Sequence, residues 1–448
     1  MPRASRSRHS AAALQQELDA AKRQHMQGRF AEARRRYLGI LKRHPGLTSA
    51  LHYLGVLEHM QGNSEAGLDL VRRACRQAPD NYDIRKNLGN LLLDLNQAEE
   101  AEALCRQVLS ERPLEASNHV NFCVCLRKLG RHAESVAAGR QALKLAPEDP
   151  QARLALANAL ACAGELEPAA QAYEQVIAHK PDFSPAHNSL CRILLQIEQS
   201  GFLSRLRLSR TRKAYARWVR AVPDNPTAKF LLDALNSRKP PPRMPDSVVK
   251  SSFEHYADHF DRHIRSLHYR APELIGEVLA RRLPPARASL DVLDGGCGTG
   301  LAAKLLRPHA RQLTGVDLSP AMLQHARATG CYDALAESEL GSWLDQNPAA
   351  YDACVFIDVL IYFGDLHAIM QSAAHATRVG GLLAFSVEKS SRPGSHLHTS
   401  GRYSHHLDHV QAALAASGWA DIEHEQASLR NESNLPVTGL VVSARKPA

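Results

Sequence analysis

Five prolines recur at a constant interval in the first half of the chain, and this interval constrains the fold most strongly. Pro45, Pro79, Pro113, Pro147 and Pro181 each stand 34 residues from the next. Turn-forming residues keep the same step, at Gly28, Gly62, Asn96, Gly130 and Gly164. Small residues keep it too, at Ala33, Gly67, Ala101, Ser135 and Ala169. Proline ends a helix, glycine or asparagine permits a tight turn, and small residues let helices approach, so the interval predicts stacked helix–turn–helix units.

A repeat of this length is typical of tetratricopeptide repeats. We predict a basic disordered tail over residues 1–12, then an all-α superhelix over 13–237 with six repeats and a capping helix over 227–237. The sixth repeat begins at Ser184 and departs from the interval, because the basic stretch 201–213 is inserted and Pro223 comes late. Stacked repeats present a concave groove, in which we expect a protein or peptide partner.

Charge is distributed unevenly along the chain. The formal net charge is +9, with a basic N-terminal half and a slightly acidic C-terminal half. Basic surfaces attract acidic partners or nucleic acid. No basic motif interleaved with aromatic residues is present, which disfavours a nucleic-acid partner without excluding RNA methylation. The nine cysteines lack metal-ligand spacing, and no apolar stretch is long enough to cross a bilayer. We therefore expect a cytoplasmic location.

The second half of the chain alternates strand-like and helix-like segments. A Pro-rich stretch, residues 238–246, is predicted to be a linker, and residues 247–448 a separate domain. Its apolar runs, from residues 289–293 to residues 438–444, predict a mostly parallel seven-stranded sheet with helices on both faces. The last two strands are expected to close the sheet as an antiparallel hairpin. Ligands bind such sheets beyond the carboxyl ends of the strands.

A glycine loop follows the first strand of this domain. Residues 291–300 read DVLDGGCGTG, and Asp317 ends the next apolar run. Glycines at 296, 298 and 300 let the backbone approach a ligand and can supply amide donors, and an acidic residue after the second strand can accept both ribose hydroxyls. The pattern is neither G-x-G-x-x-G nor a P-loop, because Leu301 stands at the sixth position and no lysine follows. A nucleoside with a polar tail is the expected ligand.

The loop G-C-G-T-G, preceded by Asp294, resembles that of class I S-adenosylmethionine-dependent methyltransferases. The resemblance implies a Rossmann-like fold with S-adenosylmethionine as cofactor. It places Asp294 near the methionine amino group, Asp317 on the ribose, and Gly296, Gly298, Gly300 and Leu318 against the cofactor. Glu339 is expected near the adenine amino group, with Glu337 as a competitor. Gly295 stands where the family usually has leucine, which implies a looser apolar anchor.

More specifically, the chain resembles a bacterial group of tetratricopeptide-containing methyltransferases. The segments that carry this resemblance are residues 253–275, residues 357–366 (IDVLIYFGDL) and residues 400–419. The resemblance implies that the segment around Tyr256 and Phe260 folds over the cofactor as a lid. Phe253, Tyr256, Phe260 and Ile264 share one helix face, and such a stripe fits a buried core as well as a lid.

Acceptor-side candidates come from two segments. The resemblance places Asp358, which follows the fourth strand, where methyl donor and acceptor meet, and Tyr362 is a candidate for orienting the acceptor or for capping the core. Arg402, Tyr403 and His405 are candidates for acceptor recognition, with His405 as a general base because its unperturbed pKa is near neutrality. Five histidines lie in residues 395–409, but their spacing matches no known metal site and we predict none.

Two functions fit this sequence. One is a methyltransferase whose repeats recruit the substrate or a partner. The other is an interaction scaffold whose methyltransferase-like domain senses S-adenosylmethionine without turnover.

Overall fold

The computed structural model describes residues 2–199, 208–236, 241–254, 260–261, 264–265, 267–432 and 435–447, with only the backbone for 2–11 and 254. The chain divides into two compact units, Met1–Ala214 and Tyr215–Ala448. This division lies earlier than the predicted linker at 238–246. Among the described residues, no helix is long and apolar enough to cross a membrane.

Consecutive helix pairs build the first unit, as the proline interval predicts. The helices are α1 (Pro2–Met26), α2 (Phe30–Arg43), α3 (Thr48–Met60), α4 (Ser64–Gln77), α5 (Tyr82–Asp94), α6 (Ala98–Glu111), α7 (Ala116–Lys128), α8 (His132–Leu145), α9 (Pro150–Cys162), α10 (Leu166–His179), α11 (Ser184–Gln199) and α12 (Ser209–Ala221), which continues into the second unit. The turn residues have left-handed backbones, from φ +58° at Asn96 to +88° at Gly62. Helix α1 begins at Pro2, so the predicted disordered tail is wrong; no glycine or further proline interrupts the chain before Gly28.

Small residues permit close packing between helices. Ala33, Ala101, Ser135 and Ala169 are fully buried. A Cβ added to Gly67 would lie 2.6 Å from the carbonyl oxygen of Gly55 on the neighbouring helix. The small positions of the repeat are therefore sites of helix–helix contact.

A second set of repeated residues fixes each inter-repeat turn. One side chain in each of four successive repeats donates to the carbonyl oxygen of the proline six residues before it. The donors are Arg85, His119, Arg153 and His187, and the acceptors are Pro79, Pro113, Pro147 and Pro181. These donors satisfy carbonyls left without a helical partner where the chain changes direction.

The second unit is a sheet with helices on both faces. Its helices are α13 (Pro226–Asn236), α14 (Asp246–Glu254), α15 (Ala271–Arg282), α16 (Ala303–Leu306), α17 (Pro320–Ala328), α18 (Leu340–Gln346), α19 (His367–Ala376) and α20 (Leu407–Ala416), with a 3₁₀ turn at Leu360–Tyr362. Its strands are β1 (Leu290–Gly295), β2 (Ala310–Asp317), β3 (Ala334–Glu337), β4 (Tyr351–Phe356), β5 (Thr377–Lys389), β6 (Ser395–Leu397), β7 (Tyr403–His405), β8 (Ala420–Glu432) and β9 (Leu435–Arg445). Helices α18, α19 and α20 pack on one apolar face and α15 and α16 on the other.

The described sheet has nine strands rather than the seven predicted. Strands run in the order β3-β2-β1-β4-β5-β7-β6, while β9 pairs with β5 and β8. Strands β3, β2, β1, β4 and β5 are parallel, and β8 and β9 form the predicted antiparallel hairpin. The two additional strands, β6 and β7, lie in the polar segment after β5, where β7 pairs with the last two residues of β5.

Residues 241–245, which we name the strap, bind along the second unit instead of forming a free linker. The carbonyl oxygen of Pro242 accepts from the backbone N–H groups of Gly364 and Asp365 at 2.7 and 2.8 Å. The Met244 N–H donates to Tyr362 O at 2.8 Å, and the Tyr403 hydroxyl donates to Pro241 O at 2.7 Å. The strap makes these hydrogen bonds through its backbone, and backbone contacts leave no side-chain pattern in the sequence. The sequence therefore indicated only a linker.

Helix α13 also has a different environment from the one we expected. Its Phe230 is 3% exposed and packs with Met244, Val248 and Tyr403. This side chain therefore belongs to the core of the second unit, where the sequence had suggested a cap for the last repeat.

Candidate active site

A cavity of about 590 Å³ opens at the carboxyl ends of the parallel strands. Its wall combines the glycine loop, the residues that follow β2, β3 and β4, the strap, and described residues of the 246–269 segment. Most of the wall is apolar, with charged groups at two places. The volume falls in the range of about 300–1,000 Å³ that is usual for small-molecule sites. The position agrees with the expectation for a sheet of this kind.

The glycine loop leaves room for a ligand directly over the backbone. Gly296 and Gly298 have φ of +71° and +54°. A Cβ on Gly296 would lie 2.2 Å from Val359 Cγ2, whereas one on Gly298 would meet nothing within 4 Å. Gly298 therefore faces open space in the cavity wall.

The loop amides are not free donors, which differs from the sequence expectation. The N–H of Gly296 donates to Val316 O, that of Gly298 to Asp317 Oδ2, and that of Gly300 to Cys297 O. The following helix, α16, has only four residues. The glycines therefore serve close approach and loop shape rather than an array of amide donors.

Asp317 presents a carboxylate beside this opening. Its Oδ1 accepts from the Ser319 N–H and its Oδ2 from the Gly298 N–H, both at 2.9 Å. Each oxygen retains a second acceptor position, as two ribose hydroxyls require. Burial raises the pKa of Asp317, and the backbone hydrogen bonds oppose that shift. Leu318 lies next to it in the wall.

Asp294 is not among the described residues of the cavity wall. It is 2% exposed, and the Tyr332 hydroxyl donates to its Oδ2 at 2.6 Å. Burial raises the pKa of Asp294 to about 7, although that hydrogen bond opposes the shift. The sequence places Asp294 near the methionine amino group; in the structure, the hydrogen-bond partner of its carboxylate is Tyr332, which is also absent from the described wall.

Glu339, and not Glu337, borders the cavity. Its carboxylate accepts from the N–H groups of Gly341 and Ser342 at 3.1 and 2.8 Å, and so caps α18. The strap residue Arg243 pairs with the same carboxylate at 2.7 Å. Burial acts to raise the pKa of Glu339, but these hydrogen bonds and Arg243 outweigh it and lower the pKa. Glu337 lies outside the wall and pairs with Lys250.

Asp358 belongs to a buried ion cluster on the other side of β1. We define the acceptor-side cluster as Asp358, Glu388, Arg402, Arg430 and Glu432. Arg430 is 4% exposed and donates to Asp358 and Glu432 at 2.8 Å each, and to Glu388. Arg402 pairs with Glu388 and Glu432. Burial raises the pKa of Asp358, and Arg430 opposes the shift.

The sequence did not reveal Arg430 or Glu432 as site residues. Both lie on β8, and β9 separates that strand from β5, which carries Glu388. The sequence signal that could have revealed Arg430 is its position directly after the buried Leu429, in the last strand but one of the domain. A charged residue at a buried strand position requires partners, and here the partners are the cavity carboxylates.

Aromatic side chains form much of the remaining wall. Tyr362 and Tyr269 line the cavity near Asp358, and burial raises the pKa of both hydroxyls. Phe253 contacts both Phe260 and Tyr362 edge-to-face, with ring centroids 6.1 Å apart in each pair. Phe253, Phe260 and Ile264 therefore border the cavity. Tyr256 lies outside the described residues.

Two acceptor-side candidates are placed elsewhere. His405 is fully buried and absent from the wall, and its ring stacks on His409 with centroids 5.4 Å apart. Burial and His409 lower the pKa of His405 to about 3, although backbone groups of Leu360 and Phe363 oppose the shift. Tyr403 is also buried and anchors the strap. The assignments of His405 as a base and Tyr403 as an acceptor contact are therefore wrong, whereas Arg402 does line the cavity.

The described residues contain no cluster of His, Cys, Asp and Glu side chains arranged to hold a metal ion. The nine cysteines are free thiols.

Comparison with known proteins agrees with both halves of this description. Residues 266–435 match a family model described as a methyltransferase domain. Residues 58–118 and 126–199 match one tetratricopeptide repeat model, and residues 18–82 match another.

Curated relatives match parts of this chain. Methyltransferase-like protein 27 of Homo sapiens is 36% identical over 151 residues, which are 33% of this chain and 61% of that protein. A ubiquinone biosynthesis O-methyltransferase of Idiomarina loihiensis is 35% identical over 103 residues, 21% of this chain and 41% of that protein. A malonyl-[acyl-carrier protein] O-methyltransferase of Pectobacterium atrosepticum is 34% identical over 109 residues, 23% and 41% of the two chains. The chain thus spans less than two thirds of each relative.

The parallel sheet, the glycine loop and the carboxylate after β2 define a class I methyltransferase domain. Its cofactor is S-adenosylmethionine. The chain thus combines tetratricopeptide repeats with a methyltransferase domain. The repeats give it a capacity for protein interaction.

Proposed function

We propose that this chain transfers a methyl group from S-adenosylmethionine to an acceptor bound in the 590 Å³ cavity. The observation that carries the proposal is the pairing of two different polar regions in one wall. Asp317 and the open face of Gly298 lie on one side of β1, and the acceptor-side cluster lies on the other. Such an arrangement suits a nucleoside at one end and a reacting group at the other.

The residues present fit this cofactor. Asp317 can accept from the ribose hydroxyls, and the absence of any atom within 4 Å of a Cβ on Gly298 leaves space beside it. Leu318, Met322 and Leu340 offer apolar surface for a flat ring, and Glu339 offers carboxylate oxygens for an amino group. When bound, S-adenosylmethionine supplies an activated methyl group on a sulfonium.

The protein's contribution is mainly positioning and exclusion of water. Phe253, Phe260 and Tyr362 cover the cavity with apolar surface, and Tyr362 together with Asp358 borders the space for an acceptor. Alignment in a dry site accelerates a displacement in which charge disperses. We assign His405 no part in proton transfer, because its ring is buried away from the cavity and its lowered pKa makes it a weak base.

Recruitment of the substrate or of a partner by the repeats is the second element of the proposal. Stacked repeats bind extended peptides or protein helices in a concave surface. The curated relatives are named for different acceptors, one in ubiquinone biosynthesis and one on an acyl-carrier protein. Their names therefore do not select an acceptor for this chain.

Calorimetric titration with S-adenosylmethionine tests the cofactor site. Asp317→Ala and the milder Asp317→Asn should each weaken binding by about tenfold or more, since hydrogen bonds to a charged acceptor are lost. Glu337→Ala is the matched control, because Glu337 ends the neighbouring strand but lies outside the cavity wall. Unchanged affinity in both Asp317 variants would remove the proposed site.

One observation favours a second function, a scaffold that senses S-adenosylmethionine without turnover. The carboxylates of the acceptor-side cluster are all paired with arginines, and His405 is no base. Incubation of the full chain and labelled cofactor with a cell extract separates the two functions. Transfer of label supports the enzyme, whereas cofactor binding without transfer supports the scaffold.

A further inference from the structure

The charged groups of the cavity wall are predominantly acidic. Among the described wall residues, five carboxylates (Asp246, Asp317, Glu339, Asp358 and Glu432) accompany three guanidiniums (Arg243, Arg402 and Arg430), with no lysine or histidine. Bound S-adenosylmethionine adds one net positive charge, so the described wall residues keep one unbalanced negative charge. In a site of low dielectric an unbalanced charge favours a ligand of opposite sign.

The acceptor-side cluster, which includes Glu388 outside the wall, carries one excess negative charge of its own. Arg430 is shared by Asp358, Glu388 and Glu432, and Arg402 by Glu388 and Glu432. Two guanidiniums thus serve three carboxylates there. A carboxylate or phosphate group on the acceptor would find arginines that are already paired and would add to the excess. An ammonium group would remove it.

The aromatic wall points in the same direction. Tyr269, Tyr362, Phe253 and Phe260 line the cavity, and Phe253 joins Phe260 and Tyr362 in two edge-to-face contacts. A cation within about 6 Å of an aromatic ring is attracted to the ring face, most strongly where water is excluded. The same rings provide apolar surface for the body of a ligand.

We propose that the acceptor is an amine, carried on an apolar or aromatic body, which binds as an ammonium at the acceptor-side cluster. This inference rests on the proposed methyl transfer. The ammonium gives one proton to a carboxylate oxygen of Asp358, which already accepts from Ser386 at 3.1 Å and from Arg430. The freed nitrogen lone pair forms the N–CH₃ bond, and the electron pair of the breaking C–S bond stays on sulfur. The product is a methylated ammonium and a neutral thioether, and Asp358 returns its proton to water.

Three small probes of matched shape test this acceptor class on the full chain. We would titrate 2-phenylethylamine, 3-phenylpropionate and 2-phenylethanol at pH 7 into protein saturated with S-adenosylhomocysteine, the neutral product. The amine should bind about tenfold more tightly than either analogue, as complementary charges in a desolvated site require. Equal or tighter binding of the carboxylate or the alcohol, or no binding of any probe, would overturn the proposal.

Two variants connect the preference to the cluster. Glu432→Gln removes one negative charge, and Asp358→Asn does so with a residue suited to the left-handed backbone of Asp358, whose φ is +55°. Each should reduce the preference for the amine to near unity. Asp408→Asn is the control, because that side chain is 84% exposed and lies outside the wall.

These measurements distinguish a failure of the amine proposal from a failure of the proposed methyl transfer. If S-adenosylhomocysteine fails to bind, the methyltransferase proposal fails first. If it binds and Glu432→Gln weakens only S-adenosylmethionine, the excess charge serves the sulfonium and the amine proposal is overturned.

Discussion

Gly295 shows how one residue adjusts the sheet beneath the glycine loop. A Cβ at this position would lie 2.6 Å from Phe356 Cδ1 and 2.7 Å from Leu340 Cδ1. Phe356 is fully buried, and its ring occupies the space directly beside Gly295. The expectation of a looser anchor is therefore wrong, because the partner strand supplies the missing bulk.

Gly295→Ala should destabilise the second unit by about 1–3 kcal/mol, the usual penalty for overpacking a dense core. All three tryptophans, Trp218, Trp343 and Trp419, lie in that unit. Urea unfolding followed by tryptophan fluorescence therefore reports on it selectively.

Phe356→Leu in the Gly295→Ala background provides the control, since it removes the clashing ring. The double variant should recover part of the stability lost in the single one. A Gly295→Ala protein as stable as the wild type would show that the ring can move aside.

His405 makes stability dependent on pH instead of contributing a base. Its folded pKa of about 3 lies below the unfolded value near 6.5, so the unfolded chain binds more protons between these values. Stability is therefore lost as pH falls, by about 2 kcal/mol between pH 7 and pH 5. His405→Gln should flatten this part of the fluorescence-detected unfolding profile while leaving S-adenosylhomocysteine affinity unchanged.

A wild-type and variant pair with parallel pH profiles would contradict the burial argument for His405. His409, which stacks on His405 and has a pKa lowered by burial, is retained in both proteins.

At the residue scale, a site residue could be predicted from the sequence when it lies close along the chain to the other residues of the site. Asp317 was recognisable because the glycine loop, helix and second strand follow each other directly. Tyr269, Arg430 and Glu432 were missed because they reach the cavity from segments on either side of the sheet. His405 had the right residue type in the right segment, but only the packing of β7 shows that its ring is enclosed.

At the scale of elements, the repeated proline carbonyl and its donor form a small device that joins successive helix pairs. Arg153 is 7% exposed, and it donates to the carbonyl oxygen of Pro147. Histidine performs the same task at positions 119 and 187. The position thus requires a donor of moderate length and not one particular residue.

Arg153→Met should lower the stability of the repeat unit by about 1.5–3 kcal/mol, because a hydrogen bond from a charged donor is lost. The shift should appear in urea unfolding followed by far-ultraviolet circular dichroism, since this unit is built of helices.

Arg153→His is the matched substitution and should retain most of the stability. If methionine and histidine at this position were equally stable, the donor would be dispensable and the repeated contact would have no structural role.

The secondary-structure elements that the sequence did not predict are two short strands. The alternation of strands and helices in the second unit, and seven of its nine described strands, followed from apolar runs in the sequence. Strands β6 and β7 have three residues each and a polar sequence. Their pairing depends on the end of β5, which extends past its apolar run to Lys389.

For the molecule as a whole, the segment that contributes residues to the cavity wall begins earlier in the chain than the matched methyltransferase domain. That match begins at residue 266, whereas wall residues begin at Arg243. The wall residues that the structure describes lie between Arg243 and Glu432, within the unit Tyr215–Ala448.

Residues 215–448 alone should therefore bind S-adenosylhomocysteine as tightly as the full chain does, by calorimetry. Residues 266–448 should bind it about tenfold more weakly or not at all, because Arg243, Met244, Phe253, Phe260 and Ile264 are missing from the wall.

Circular dichroism and the tryptophan emission of Trp343 and Trp419 would establish whether the shorter fragment retains its sheet. A folded 266–448 fragment with full affinity would show that the strap and α14 contribute nothing to ligand binding.

The strap imposes a rule on recombination of this unit with others. Tyr403, deep in the second unit, anchors Pro241, and Gly364 and Asp365 engage Pro242. A methyltransferase domain transferred to another protein would thus have to keep its own residues from α13 onward. A foreign segment in their place would bring different side chains into the cavity wall. When the repeats are exchanged for another binding domain, in nature or by engineering, the junction should therefore lie before residue 226.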